Sequence, residues 1–228
     1  MAPADPVVIV TAHNEADRLP ATLAALAAAF PGARVLVADD GSTDGSAEVA
    51  AANGAEVVRS PRNQGKGGTA TLAAECLLPL AAEPDPPVIL LCDGDLAGSA
   101  EALAALVEEV RSGRADLAVA DFAKRVGGGF GLALGFARWA IRRRCGLLCD
   151  APISGQRALR ADVLPAVVPF APRFGMEIGM TIDAVRAGHR VSEVQLDLAH
   201  RATGRTLRGF LHRGRQLVDF LAVYLRRR

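Results

Sequence analysis

Aromatic side chains are scarce in this 228-residue chain: Phe, Trp and Tyr together make up 4% of it, with one Trp and one Tyr. Half of the residues are apolar all the same, so Ala, Val and Leu must do the packing. Cysteine is sparse too. Of Cys76, Cys92, Cys145 and Cys149, only the last two are close in sequence, and no second pair completes a zinc set. This excludes a disulfide framework or a structural zinc site, and all four are expected as free thiols in a reducing cytoplasm. No run of about 18 or more apolar residues exists, which excludes a membrane-spanning helix. No basic start leads into a long apolar core, so no signal peptide is expected. The expected location is cytoplasmic, with peripheral contact at the inner face of a membrane.

A strong overall charge is also missing. The formal net charge is +1, and no nucleic-acid partner is expected. That near-neutrality hides an asymmetry. Residues 1–120 carry 7 Lys/Arg against 17 Asp/Glu, whereas residues 121–228 carry 19 against 8. Two halves with different jobs are implied, the basic one suited to anions or to a membrane surface.

What is present is a regular alternation. Val7–Val10 reads as a buried strand, Arg18–Phe30 as a helix with Leu19, Leu23, Leu26 and Phe30 on one face, and Val35–Ala38 as a second strand. Ser46–Asn53 (helix), Glu56–Arg59 (strand), Ala70–Leu80 (helix), Val88 onward (strand), Ser99–Val110 (helix, Ser99 as N-cap) and Ala115–Ala120 (strand) continue the series. A polar loop leaves the same end of each strand, the pattern of a parallel, doubly wound sheet.

The strand Val88–Leu96, VILLCDGDL, delivers Asp93 and Asp95 at its end, where such sheets place ligands. Carboxylates at i and i+2 share a face if the chain stays extended. They read as a clamp for a hard divalent cation, the competing reading being an acidic turn around Gly94. Arg62–Thr69, RNQGKGGT, sets glycines around Lys66 ahead of a helix, a loop able to approach phosphate oxygens. It is neither a Walker A loop nor a GxGxxG fingerprint.

The second half is less regular. Residues 124–135 form a glycine-rich loop, and Phe136–Cys145 a basic amphipathic helix containing Arg142–Arg144. Ile153–Leu159 reads as a small polar loop entering Arg160–Val168, Thr181–Ala187 as a helix, Val191–Leu198 as a strand, and Leu207–Arg228 as an amphipathic helix. Glu177 lies in an apolar setting ahead of the Thr181 helix. A buried acid is costly unless used or paired, so Glu177 is either a general base or a structural acid paired with Arg157 or Arg173.

Four loops now stand in order: Thr11-Ala12-His13-Asn14-Glu15, Asp39-Asp40-Gly41-Ser42-Thr43-Asp44, Asn63-Gln64-Gly65-Lys66-Gly67 and Asp93-Gly94-Asp95. Together they resemble the family 2 glycosyltransferases of the GT-A fold, in particular the dolichyl-phosphate mannose synthases and glucosyl-3-phosphoglycerate synthases. Beyond residue 120 the likeness rests on Ser154-Gly155-Gln156-Arg157-Ala158, Glu177 and His200. The resemblance implies an α/β fold: a single GT-A (Rossmann-like) domain over residues 1–228, with a mostly parallel central sheet and helices on both faces. Residues 1–120 would form the nucleotide-sugar-binding half, and 121–228 the acceptor half with its C-terminal amphipathic helix.

The same resemblance implies roles. Thr11 and Glu15 would line the nucleoside pocket, Asp40 would accept from the base N–H, and Lys66 would reach the donor diphosphate. Asp93 and Asp95 would hold Mg²⁺ or Mn²⁺ there, with His200 as a further ligand; Asp95 is thereby a catalytic candidate, beside Glu177 in its reading as a general base. The implied reaction moves one sugar from a UDP- or GDP-sugar to a polyprenyl phosphate or a small anionic acceptor. His13 stands where the family has a tyrosine. The Q-x-x-R-W sequence of processive synthases is missing, which favours one sugar per acceptor. A sugar-phosphate nucleotidyltransferase would need a basic glycine-rich loop where the chain has TAHNEADR. A non-catalytic nucleotide-binding domain would have no use for Lys66 with Asp93 and Asp95.

Overall fold

The computed structural model describes residues 5–122, 131–197 and 207–227. Its elements are β1 (Val7–Ala12), α1 (Leu19–Ala29), β2 (Arg34–Asp39), α2 (Ser46–Ala52), β3 (Glu56–Arg59), α3 (Lys66–Glu75), β4 (Val88–Asp93), α4 (Ala104–Arg111), β5 (Leu117–Phe122), α5 (Leu132–Cys145), β6 (Arg157–Arg160), α6 (Leu164–Val167), α7 (Met176–Arg186), β7 (Val191–Leu196) and α8 (Leu207–Arg226).

The strands form one sheet in the order β3-β2-β1-β4-β6-β5-β7. The β1–β2, β1–β4, β2–β3 and β5–β7 pairs are parallel, and β6 runs against both β4 and β5. Alternation along the strands sorts side chains to two faces. Val8 and Val10 of β1 pack with Leu19, Leu23 and Leu26 of α1 and with Leu106, Val107 and Val110 of α4. Ile9 points the other way, toward Ala70, Ala73 and Ala74 of α3 and Met176 and Met180 of α7. A third cluster joins α5, α7 and α8 through Ile141, Ile178, Ile182, Phe220 and Val223. The result is an α/β fold, mostly parallel and helix-covered on both faces, as expected of a GT-A domain.

Several expectations change. The polar loop at Ile153–Leu159 contains the start of β6, a strand whose four residues, RALR, are too short to show a period. After β6 come a 3₁₀ turn at Ala161–Val163 and the short α6. Ser99 is not at the N-cap of α4, which is Leu103: it lies inside a 3₁₀ segment, Ala97–Leu103, with its hydroxyl donating to the Leu96 carbonyl. The helix after the glycine loop begins at Lys66 rather than at Ala70. The one around Thr181 begins at Met176, which puts Glu177 in its first turn. Among the described residues no helix is long and apolar enough to cross a membrane.

The order of strands reverses between β1 and β4, and the crevice outside the carboxyl ends of such neighbours is where open α/β sheets bind ligands. Loops after β1, β2 and β4 meet there.

Candidate active site

The register sets the first contacts: Thr11 of β1 lies opposite Asp93 of β4, and Ala12 opposite Asp39 of β2. Beyond these positions the loops knit together. The Asn14 amide donates to Ser42 Oγ (2.9 Å), the Ala16 amide to Asp44 (3.0 Å), and the Glu15 amide to Ser46 Oγ (2.9 Å). His13, missed as a site organiser, joins three loops. Its Nδ1 is 3.0 Å from the Asp40 carbonyl, which only accepts, so Nδ1 carries the proton and Nε2 accepts from Asn63 Nδ2 at 3.2 Å.

Asp40 is buried and its carboxylate is engaged inside this cluster. Oδ1 accepts from the Gln64 amide (2.7 Å) and Thr69 Oγ1 (2.5 Å), and Oδ2 from the Gly65 amide (2.9 Å). It fixes the turn that begins α3. A carboxylate offers about four acceptor positions, so a nucleoside base N–H would have to take the remaining one, on Oδ2. Beside it, at the ends of β2 and β3, lies a cleft of about 410 Å³ lined by Gly41, Ser42, Thr43, Arg59, Ser60 and Pro61. Arg59 spans its floor, paired with Asp39 (3.2 Å) and donating to the Ser42 carbonyl (2.9 Å). Neither Thr11 nor Glu15 is among the residues lining that cleft.

The centre of the site is Lys66. Its ammonium is 2.6 Å from Asp93 and 3.3 Å from Glu177. Burial disfavours the cation, yet the two carboxylates outweigh burial and raise the lysine well above its ordinary value. Burial would likewise raise Asp93, but the Lys66 charge and hydrogen bonds from Lys66, Gln156 and Thr11 hold it below the usual range. Thr11 Oγ1 donates to Asp93 Oδ1 at 3.1 Å. Gln156 grips Asp93 twice: its Oε1 accepts from the Asp93 amide (3.0 Å) and its Nε2 donates to Oδ2 (2.7 Å). The amide N–H can only be met by Oε1, so this orientation is not interchangeable.

The lysine fits because of a glycine. A methyl group on Gly155 would overlap Lys66 Nζ and stand 3.0 Å from Asp93 Oδ2. Gly155 and Gln156 are in turn held by Arg157, 1% exposed, which donates to the Ser154 carbonyl (2.8 Å) and Thr181 Oγ1 (2.9 Å). Burial lowers its pKa to about 10, with Glu177 the chief opposing charge. Glu177 therefore has a partner, Lys66, rather than the Arg157 or Arg173 ion pair set against its general-base role.

Asp95 behaves differently. β4 ends at Asp93, so the extended spacing assumed for the pair does not hold; Gly94 turns the chain, its amide donating to the Thr11 carbonyl at 2.9 Å. Burial, and next the Asp93 charge, raise Asp95 above the ordinary carboxylate value. A divalent cation would reverse both effects, so the two acids fit a hard metal. Among the described residues no third His, Cys, Asp or Glu joins them, so an ion there would complete its shell with phosphate oxygens and water, the usual habit of Mg²⁺. His200 lies outside the described residues, as do 124–130 of the glycine loop.

Residues 7–148 match the model of the family described as Glycosyl transferase family 2. The chain is 32% identical over 216 residues to an undecaprenyl-phosphate mannosyltransferase of Micrococcus luteus, covering 88% of this chain and 86% of that protein. It is 32% identical over 209 residues to an uncharacterized glycosyltransferase of Mycobacterium tuberculosis, covering 87% of each. Its structure is similar to that of glucosyl-3-phosphoglycerate synthase from M. tuberculosis in complex with Mn²⁺, UDP and phosphoglyceric acid. There the TM-score is 0.76 at 26% identity, over 98% of this chain and 78% of that one.

Proposed function

Because the chain belongs to glycosyl transferase family 2, we propose that it moves one sugar from a UDP- or GDP-sugar to the phosphate of a polyprenyl phosphate. The observation that carries this reading is the Lys66 ammonium held between Asp93 and Glu177 at the carboxyl end of β4. The leaving group of such a transfer is a nucleoside diphosphate, whose growing negative charge needs a positioned cation in a site of restricted solvent. Lys66 supplies one, and the cleft beside Gly41 and Arg59 has room for the nucleoside. Asp95, with Asp93, would hold Mg²⁺ or Mn²⁺, which when bound adds further charge stabilisation to the diphosphate. An acceptor phosphate is already anionic, so no base is needed and Glu177 serves as a counter-charge that sets the lysine in place.

The M. luteus relative's name supports a lipid-linked phosphate as acceptor. So does the outer surface of the basic half. Leu217, Val218, Leu221 and Leu225 of α8 and Leu132 and Trp139 of α5 are exposed, and Arg142 and Arg143 stand exposed at the end of α5. An apolar stripe flanked by arginine suits the interface of an anionic bilayer, each cation there contributing about 1 kcal/mol. A small soluble acceptor is the second reading, favoured by the likeness to a synthase whose complex contains phosphoglyceric acid.

The test is a donor screen read by nucleoside-diphosphate release, with Mg²⁺ or Mn²⁺, offering either polyprenyl phosphate or 3-phosphoglycerate. Turnover with the lipid alone is expected, together with co-sedimentation on anionic vesicles that weakens with salt and with R142A/R143A. Arg144 is left intact, because its guanidinium stacks 3.7 Å from the Tyr224 ring centroid and donates to the Tyr224 carbonyl. Turnover with phosphoglycerate and no vesicle binding at low salt would replace this reading with the second.

A further inference from the structure

The segment before α7 has no part in the reading so far, yet it contains a strained residue. Arg173 has φ 53°, a left-handed value that side chains without a local polar partner rarely adopt. Such strain persists where surrounding packing over-determines it, and it gathers at functional sites. The packing here is against the glycine loop. A methyl group on Gly65 would lie 2.8 Å from Arg173 Cγ and 3.1 Å from its Cα. One on Gly67 would overlap the Ala171 carbonyl oxygen and stand 3.3 Å from the Arg173 amide nitrogen. The arginine is thus pressed onto the backbone on either side of Lys66.

Its charge is the second observation. Three cations close to it are occupied: Lys66 by Asp93 and Glu177, Arg59 by Asp39, and Arg157 by carbonyls and a hydroxyl. Arg173 is exposed, and no carboxylate among the described residues pairs with it. The nearest acid in sequence, Glu177, is turned to Lys66 instead.

We propose that Arg173 is the binding residue for the phosphate of the acceptor. A guanidinium presents paired N–H donors that match two phosphate oxygens, whereas the Lys66 ammonium is a point charge between two carboxylates. The two neighbouring cations divide the work: Lys66 faces the diphosphate that leaves, and Arg173, at the exposed rim, faces the phosphate that arrives. This assignment rests on the proposed transfer to a phosphate acceptor and adds the residue that selects it.

The experiment is calorimetric binding to the full chain saturated with UDP or GDP and Mn²⁺, with farnesyl phosphate and 3-phosphoglycerate as separate probes. The arm that binds identifies the source of the phosphate. R173A is expected to weaken the bound probe about 10- to 100-fold, the range of a lost charge-assisted hydrogen-bonded pair, with nucleotide affinity changed less than about twofold. R173K should recover part of the loss. R173G suits the left-handed backbone, so it should keep the wild-type melting temperature while losing the probe as R173A does. Unchanged probe affinity in R173A overturns the assignment. So does a fall in nucleotide affinity, which would place Arg173 on the donor, or a parallel loss of melting temperature and probe in all three variants. A wild-type chain that turns over no nucleotide sugar fails the proposed activity instead, and the binding readout keeps the two failures apart.

Discussion

Replacing Lys66 by Met removes the one cation between Asp93 and Glu177 while keeping much of its volume. In the wild type the lysine lies 2.6 Å and 3.3 Å from the two acids. Asp93 is held below its ordinary pKa, so its contribution to stability is present above the unfolded carboxylate value of about 3.9 and lost as pH falls through the lower folded value. Lys66 is raised, so its contribution is present below its unfolded value of about 10.4 and lost only as pH rises through the higher folded one. Between about pH 4 and 10 the pair adds no slope. In K66M two partly buried acids face each other uncompensated, and the folded state retains a proton that the unfolded chain has released. Stability then falls as pH rises, by about 1.4 kcal/mol per pH unit while the folded state still holds that proton and the unfolded chain does not. Removing one partner of a buried pair costs about 3–5 kcal/mol; the pair is about a quarter to a third exposed, so about 2–3 kcal/mol is expected at pH 7. Urea denaturation of both proteins from pH 5 to 8 measures this. Parallel curves, offset equally at every pH, would refute the role of Lys66 as the counter-charge.

Other substitutions probe neighbouring groups. D95A should lower turnover by at least about 10²-fold, a loss of several kcal/mol of transition-state stabilisation, and leave the melting temperature unchanged or higher at pH 7, because the Asp95 pKa is raised and its charge opposes folding; near wild-type turnover at saturating Mn²⁺ contradicts it. D40A leaves the Gln64 and Gly65 amides and Thr69 Oγ1 without their acceptor and should cost about 2–4 kcal/mol in urea denaturation, with weaker donor binding. An unshifted denaturation midpoint would show that the carboxylate does not hold the loop. E177Q keeps an oxygen toward Lys66 and should retain kcat within about tenfold, since a phosphate acceptor needs no base. Lost chemistry at unchanged donor affinity would point to a hydroxyl acceptor.

The donor side was legible because buried parallel strands write continuous apolar runs, VVIV, VLVA and VILLCD, and each run ends in its functional loop. The acceptor side was not. RALR has no readable period, and its place between β4 and β5 comes from pairing alone. Ser154–Ala158 is legible as a motif, but nothing local reveals that Gln156 grips Asp93 across 63 residues. The glycines around Lys66 point to phosphate; its pairing with Glu177 depends on α7 starting a turn earlier than its apolar pattern suggests. The strain at Arg173 has no sequence signal, since the usual mark of a left-handed position is Gly or Asn.

The reversed direction of β6 bears on how this chain can change. The other strands bring the residues that follow them to the ligand edge; β6 brings the residues that precede it. Ahead of Asp150 the segment leading into β6 is therefore free to lengthen, shorten or be exchanged while Gly155 and Gln156 stay at Lys66 and Asp93, because the pairing of Leu91 with Arg157 fixes that meeting point downstream of any insertion. New acceptors can be tried there without retuning the half of the site that handles the nucleotide.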